Sequence, residues 1–392
     1  MAEHYISDEL LQHSKLLRRA SNGLNLVNYD KSVLSEDEVA TVGLIRSVVL
    51  DASGGQLLSF SPPKSTSMER FMEDHPFSEV TAEEFVEGTM INVFWTGTQW
   101  EMATRRSIGA NVSFYRMIGS KTFREMFDEV GLDLSRLNPS FCYSFVLQHP
   151  GNRIVCPFDQ AKLYLVDLYQ ITGKTVRLLF EERRQWQQWW TGSDAPPVHF
   201  PLDYSAKVTT YAEAVARFAS MNTNYYVMGC VFRHKPTNHR AKVRNPVYEQ
   251  VRQLRGNQPK LMYQYLYLRQ QDKIKEFLTF YPEYKKDFLQ FRDQWRMFNA
   301  TLFEHYFECF VAKRTKHAEV SRQYRSLLFM LHKAFLADLR PLKKCVTRSY
   351  VRRFFQELHP AQQMYFLNYA FRVHEEEVRR ALQPSMVTNE NQ

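Results

Sequence analysis

The groups through which this chain could do chemistry are mostly cations. Lys313-Arg314-Lys316, Lys343-Lys344 and Arg348-Arg352-Arg353 lie among aromatic residues in the C-terminal third. Helical spacing buries the rings of such a pattern and exposes the bases. Bases so placed suit the phosphates of a nucleic acid, each contact adding to the salt dependence of binding. The acidic face of another protein, or plain solvent, would suit them too. His234 and His239 are spaced like metal ligands, but a proline lies between them and no Cys or acid is near. They read as a solvated loop, and no metal site is expected. There is no G-x-x-x-x-G-K-[ST] loop and no G-x-S-x-G elbow, so neither a P-loop nucleotidase nor a serine hydrolase is supported.

Composition sets the frame for these groups. A chain of 392 residues suggests ~2–3 domains, and 44% hydrophobic with 14% aromatic content marks a folded, globular chain. The net charge of +9 is unevenly spread. Residues 1–257 carry 28 basic and 28 acidic side chains, whereas residues 258–392 carry 23 and 14. A basic appendage on a neutral body points to a polyanionic partner. No apolar run approaches the ~18–20 residues of a membrane helix. The N-terminus has early acids and no apolar core of a secretory leader. Five widely spaced cysteines without a C-x-x-C pair read as reduced thiols in a cytosol-like compartment. The expected location is therefore cytoplasmic, in a host cell or a virion if the chain is viral, with no membrane partner.

Alternation and helical periodicity then supply the elements. A short helix is expected at 8–20, and a hairpin at 42–60 around Asp51–Gly55. Strand patterns recur at 89–95, 99–104, 141–147, 153–155, 162–168, 175–180, 224–232 and 239–244, interrupted by helical patterns at 120–130 and 209–220. Trp186, Trp189, Trp190 and Gly192 mark a loop or domain edge. After Pro246 the β signal ends, and apolar residues recur at helical spacing to about 382, with breaks at Pro282, Pro341 and Pro360 giving five or six helices. The fold class is α+β. A mostly antiparallel body at 1–246 precedes an all-α basic domain at 247–383, and 384–392 reads as a disordered tail.

Residues 82–106, AEEFVEGTMINVFWTGTQWEMATRR, carry a family resemblance. With the motifs around them they resemble the covalent nucleotidyltransferases, in particular the phage-type ATP-dependent RNA ligases; similar degenerate sequences occur in large DNA viruses. Members adenylate the lysine of K-x-D-G, pass AMP to a 5′-phosphate and seal it with a 3′-hydroxyl. The resemblance implies phosphate-facing roles for Arg46 in LIRSVVLD, Arg70 in MERF and Arg105 (with Arg106) in ATRRS. The K-x-D-G segment looks like Phe85-Val86-Glu87-Gly88, with phenylalanine in the place of the nucleophile. Ser144 stands where the family has the glutamate of an aromatic strand. Met228, in Met228-Gly229-Cys230-Val231, stands where it has a metal-binding glutamate, and methionine suits hard Mg²⁺ poorly. Lys242-Val243-Arg244 matches the distal K-x-K, with arginine keeping charge but not geometry.

The losses fall on the chemical groups and spare most of the phosphate-facing bases. The first expectation is thus a catalytically degenerate, RNA-ligase-like protein, a pseudoenzyme binding nucleotide or nucleic acid, RNA ahead of DNA. Its phosphate contacts would be Arg46, Arg70, Glu87, Gly88, Arg105, Lys242 and Arg244. A first alternative is an active ligase using ATP and Mg²⁺ with a relocated nucleophile, Lys64 in SFSPPKSTS, where two prolines stiffen the approach. A second is a structural or virion-assembly protein with a protein partner.

Overall fold

The first sheet is set by a two-residue turn. Strand β1 (Glu3–Tyr5) and a single helical turn, α1 (Asp8–Leu11), precede β2 (Leu16–Ser21) and β3 (Leu24–Tyr29). Between the last two, Asn22 and Gly23 both take positive φ, 53° and 70°, the conformation of a type I′ hairpin. The helix expected over 8–20 therefore stops after one turn, because Leu16–Ser21 pairs antiparallel with β3. The expected hairpin follows as β4 (Val48–Leu50) and β5 (Leu57–Phe60), completing a four-stranded sheet in the order β2-β3-β4-β5. The computed structural model describes residues 3–114, 120–185 and 197–382. The tryptophan cluster at 186–190, Gly192 and the expected tail lie outside them.

Helix α2 (Met68–Asp74) leads into β6 (Val80–Glu84), β7 (Thr89–Trp95) and β8 (Trp100–Ala103). Then come α3 (Phe123–Asp128), β9 (Phe141–Gln148), β10 (Lys162–Thr172), β11 (Thr175–Leu178), α4 (Phe180–Gln185), β12 (Val198–His199) and α5 (Tyr211–Phe218). The body closes with β13 (Gly229–His234), β14 (Arg240–Arg244) and α6 (Pro246–Arg255). A seven-stranded sheet runs β1-β11-β10-β9-β7-β8, with β12 alongside β10, and a three-stranded sheet runs β14-β13-β6. Among the named strands of the described residues, every pairing but β10 with β12 is antiparallel.

Side-chain alternation divides the body into cores. On β9, Tyr143, Phe145 and Leu147 face a core shared with Phe123 and Phe127 of α3, while Cys142 faces the core under the four-stranded sheet with Val48, Val49 and Phe60. The three-stranded sheet buries Cys230, Phe232 and Ala241 against Phe71 of α2 and Ala214 of α5. Each large apolar side chain so buried contributes about 1.5–3 kcal/mol.

Two strand expectations are corrected. Residues 153–155 form no strand, because the Val155 N–H is taken by the Glu87 carboxylate at 2.9 Å. The pattern at 224–232 becomes a strand only at Gly229, because the Asn245 side-chain amide holds the carbonyls of Thr223, Asn224 and Val227 in a loop.

The chain divides into two compact units, Met1–Arg255 and Gly256–Gln392. Helix α6 thus belongs with the body, where Tyr248 and Val251 are buried, rather than with the helical domain expected from 247. The second unit contains α7 (Leu261–Gln270), α8 (Ile274–Phe280), α9 (Lys285–Tyr306), α10 (Arg322–Ala334), α11 (Arg348–Glu357), α12 (Pro360–Leu367) and α13 (Tyr369–Leu382). That is more helices than the five or six expected. The extra breaks fall at Asp272 and Lys313, which take left-handed φ of 57° and 54° without any glycine to signal them, and at Asn368 between α12 and α13.

Candidate phosphate-binding site

Strands β6, β13 and β14 bring together the groups that matter. Gly229 pairs with Arg244 and Val231 with Lys242, while Cys230 pairs with Glu84 on the other side. Phe85 follows β6 directly, and its N–H donates to the Gly229 carbonyl at 3.2 Å. Its ring is therefore fixed at the end of the sheet. Lys242 Nζ lies 4.7 Å from the ring centroid and the Arg244 guanidinium 5.6 Å. Such cation–π contacts contribute about 0.5–2 kcal/mol, more as they are desolvated. The position where the resemblance places a nucleophile holds an aromatic face with two cations on it.

Burial holds the Lys242 pKa well below its usual value, reinforced by the guanidiniums of Arg240, Arg46, Arg233 and Arg244. Behind it, among the described residues, three guanidiniums share two carboxylates. Glu83 bonds Arg183 and, at 3.1 Å, Arg233, while Asp167 bonds Arg233 at 2.8 Å and stands 3.7 Å from Arg240. Arg240 is brought down to about 10 by burial and by Arg233. The cluster thus presents an excess of positive charge toward Lys242. An anion would be favoured there, since a buried cation without a counter-charge is costly.

The remaining candidates separate. Arg46 belongs to the cluster through its charge on Lys242 and Arg240. Arg105 adjoins it, stacked 4.7 Å over the Tyr29 ring and donating to the Tyr29 carbonyl at 3.1 Å. Arg244 is shared with Glu249 at 2.9 Å. Arg70 and Lys64 line a cleft of about 190 Å³ with Glu36, Asp37 and Asp74, and Arg240 of the cluster lines it too. Lys64 stands 3.6 Å from Glu36, and Arg70 stands 3.8 Å from Asp37 and 3.9 Å from Asp74. Local carboxylates meet these two cations, and Arg240 connects their cleft to the Lys242 cluster.

Glu87 is not a free carboxylate. It is buried and accepts from the N–H groups of Val155 at 2.9 Å and Cys156 at 3.1 Å. The Tyr248 hydroxyl bonds it as well. Its task is to staple the 153–156 loop. Gly88 is required by packing, since at φ 148° a Cβ would lie 2.4 Å from the Leu147 carbonyl oxygen. Ser144, fully buried, donates to Asn92 at 2.8 Å across β9 and β7. Met228 precedes β13, and its carbonyl accepts from the Asn245 N–H at 3.0 Å. Among the described residues no three His, Cys, Asp or Glu side chains are placed to hold a metal ion.

In the second unit Lys313, Arg314, Lys316, Lys343, Lys344, Arg348, Arg352 and Arg353 are all at the surface. Arg314 stands 3.5 Å from Glu308, and Arg348 lies 5.5 Å over the Phe303 ring. Sequence reasoning missed Arg233, Arg240, Arg183, Glu83 and Asp167. One signal was present: Arg240, Lys242 and Arg244 alternate along β14, and the period of two puts all three on one face.

A stretch of this chain is similar to an RNA ligase of the Rhodothermus phage RM378, 31% identical over 99 residues. The match spans 22% of this chain and 22% of the phage protein. No family model matches. Among solved structures, a protein described as an ATP-dependent DNA ligase, from Aquifex aeolicus, is 16% identical with a TM-score of 0.40, covering 84% of this chain and 79% of its own. An archaeal ATP-dependent RNA ligase is 17% identical with a TM-score of 0.38, covering 64% of this chain and 62% of its own. A mutant RNA ligase of Naegleria gruberi with ATP and Mn is 15% identical with a TM-score of 0.33, covering 50% and 60%. No helix among the described residues is long and apolar enough to cross a membrane.

Proposed function

We propose that this chain binds a nucleotide or a nucleic-acid strand, RNA ahead of DNA, through the Lys242 cluster, without forming a covalent nucleotidyl-lysine. One observation carries the reading. Lys242 and Arg244 flank the ring of Phe85, and the strongest charged neighbours of Lys242 are all guanidiniums. Phosphate suits that arrangement, because guanidinium forks and an amine donor meet its oxygens while it supplies the missing negative charge. The phosphates of ATP would fit Lys242, Arg244 and Arg46. Mg²⁺ does not fit. Glu87 spends its oxygens on the loop, and serine and methionine stand at positions 144 and 228.

The test is incubation with α-labelled ATP or GTP and Mg²⁺ or Mn²⁺, followed by a denaturing gel and intact mass, alongside oligonucleotide binding over a salt series. The expected outcome is no adduct, with salt-sensitive binding that weakens on removal of Lys242. Absence of salt-sensitive binding, together with a stoichiometric protein partner, would favour an assembly role instead.

A second reading, nucleotidyl transfer by a relocated lysine, is favoured by the lowered pKa of Lys242, since a neutral amine is a nucleophile. On that reading the group is Lys242 rather than Lys64, which faces Glu36. An adduct that vanishes in Lys242→Ala and survives in Lys64→Ala would establish it.

A further inference from the structure

The geometry points to a second phosphate site, in the Gly256–Gln392 unit, that takes a backbone or terminal phosphate of a bound nucleic-acid strand. It is a cleft of about 370 Å³ lined by Arg269, Trp295, Ser349, Arg352 and Arg353. The inference rests on the nucleic-acid reading of the chain and locates a contact within it.

Arg269 carries the argument. Its guanidinium lies 3.8 Å from the centre of the Trp295 ring. That ring is itself fixed, fully buried with its Nε1–H donating to Gln363 at 3.1 Å. The stacked arginine is thus held in place before any ligand arrives, and little side-chain entropy remains to be lost. One guanidinium nitrogen donates to the Tyr265 hydroxyl at 3.3 Å. The Nε atom is buried and has no hydrogen-bond partner. An orphaned charged donor is costly, and in a folded protein it asks for an explanation such as an ion. Among the described residues no carboxylate lies within ion-pair distance of Arg269 or Arg352.

Helix α11 completes the cleft. Its first turn contributes Ser349, a hydroxyl donor, at the end of the helix where backbone N–H groups and the dipole favour an anion. About one turn further along, Arg352 and Arg353 add exposed guanidiniums to the same wall. Forked donors from separate helices match phosphate oxygens better than point charges do. The one opposing group is Glu357, which also lines the cleft and stands 3.9 Å from Arg353. It tempers the site, and its removal should strengthen binding.

The experiment measures binding of a short single-stranded RNA bearing a 5′-phosphate to the full chain, over a salt series, in wild type and in Arg352→Gln, Arg269→Lys, Glu357→Gln and Lys242→Met. Arg352→Gln is expected to bind about tenfold more weakly, as loss of a charged hydrogen bond implies, with a salt slope lower by ~1. Arg269→Lys keeps the charge but loses the fork and should weaken too, while Glu357→Gln should tighten. Arg352 and Glu357 are exposed, so their variants report on the site even if Arg269→Lys folds poorly. Wild-type affinity in Arg352→Gln and Glu357→Gln, with Lys242→Met impaired, overturns the second site and leaves the Lys242 reading standing. A wild-type protein that binds no RNA overturns both.

Discussion

Phe85 is the residue on which the chemistry turns, and substitution there has a definite expected result. Phe85→Lys places a third cation beside Lys242 and Arg244 and removes two cation–π contacts, a loss of roughly 1–2 kcal/mol before repulsion is counted. The variant should melt lower than wild type and still form no nucleotide adduct by intact mass, since Ser144 and Met228 are unchanged and Glu87 still holds its loop. An adduct would show that the lysine alone was missing. At Lys242 the sign of the pH effect follows from linkage. Burial and four guanidiniums depress its pKa in the free protein. A bound phosphate would raise it, so the complex holds more protons and affinity grows as pH falls through the interval between the two values. Calorimetry in buffers of differing ionisation enthalpy should register proton uptake in wild type and none in Lys242→Met.

The elements that position these residues are constrained at particular backbone sites. At Gly229 φ is 143°, and a Cβ would lie 2.0 Å from the Val243 carbonyl oxygen. Gly229→Ala must part β13 from β14, and a loss of about 1–3 kcal/mol in denaturant unfolding is expected. At the far end of the same strands, His75 at the close of α2 stacks 3.9 Å from His234, with His239 at 5.5 Å. Burial, then the other histidines, lowers the pKa of His75, and burial with His234 lowers that of His239, opposed only in part by Asp74 and Glu79 at His75 and by Asp74 at His239. The unfolded chain therefore binds more protons below about pH 6.5. Stability should hold above that pH and fall as the pH drops through it. Urea midpoints measured across that range in wild type and His75→Gln should diverge on the acid side. Strand positions were legible wherever one face of a sheet is buried, as at Thr89–Trp95 and Phe141–Gln148. They were not legible where a distant group takes over the backbone, as Glu87 does at Val155 and Asn245 does ahead of Gly229.

Taken whole, the molecule separates its charge between its units. Met1–Arg255 carries 28 basic and 28 acidic side chains, and Gly256–Gln392 carries 23 and 14. The second unit should supply much of any salt-dependent term. Lys343→Gln with Lys344→Gln is expected to lower the salt slope of RNA binding by ~1–2 and to leave the melting temperature unchanged, because both side chains are exposed. This asymmetry and the K-x-R stripe of β14 were legible in residue counts and parity. The pairing of Arg70 with Asp37 and Asp74, and of Lys64 with Glu36, was not, because it depends on which carboxylates lie nearby in space.

The buried thiols extend the same logic to time. Cys142 lies between the four- and seven-stranded sheets and is pushed up to about 11 by burial, while Cys230 lies under the three-stranded sheet and is pushed up to about 12. Only the thiolate reacts with an alkylating agent, so in the folded chain the exposed Cys345 is labelled first. Cys142 and Cys230 then become two clocks, each started by the opening of its own core. Their labelling rates in one mass spectrum would show whether the three-stranded sheet of β6, β13 and β14 breathes independently of the sheet pair around Cys142.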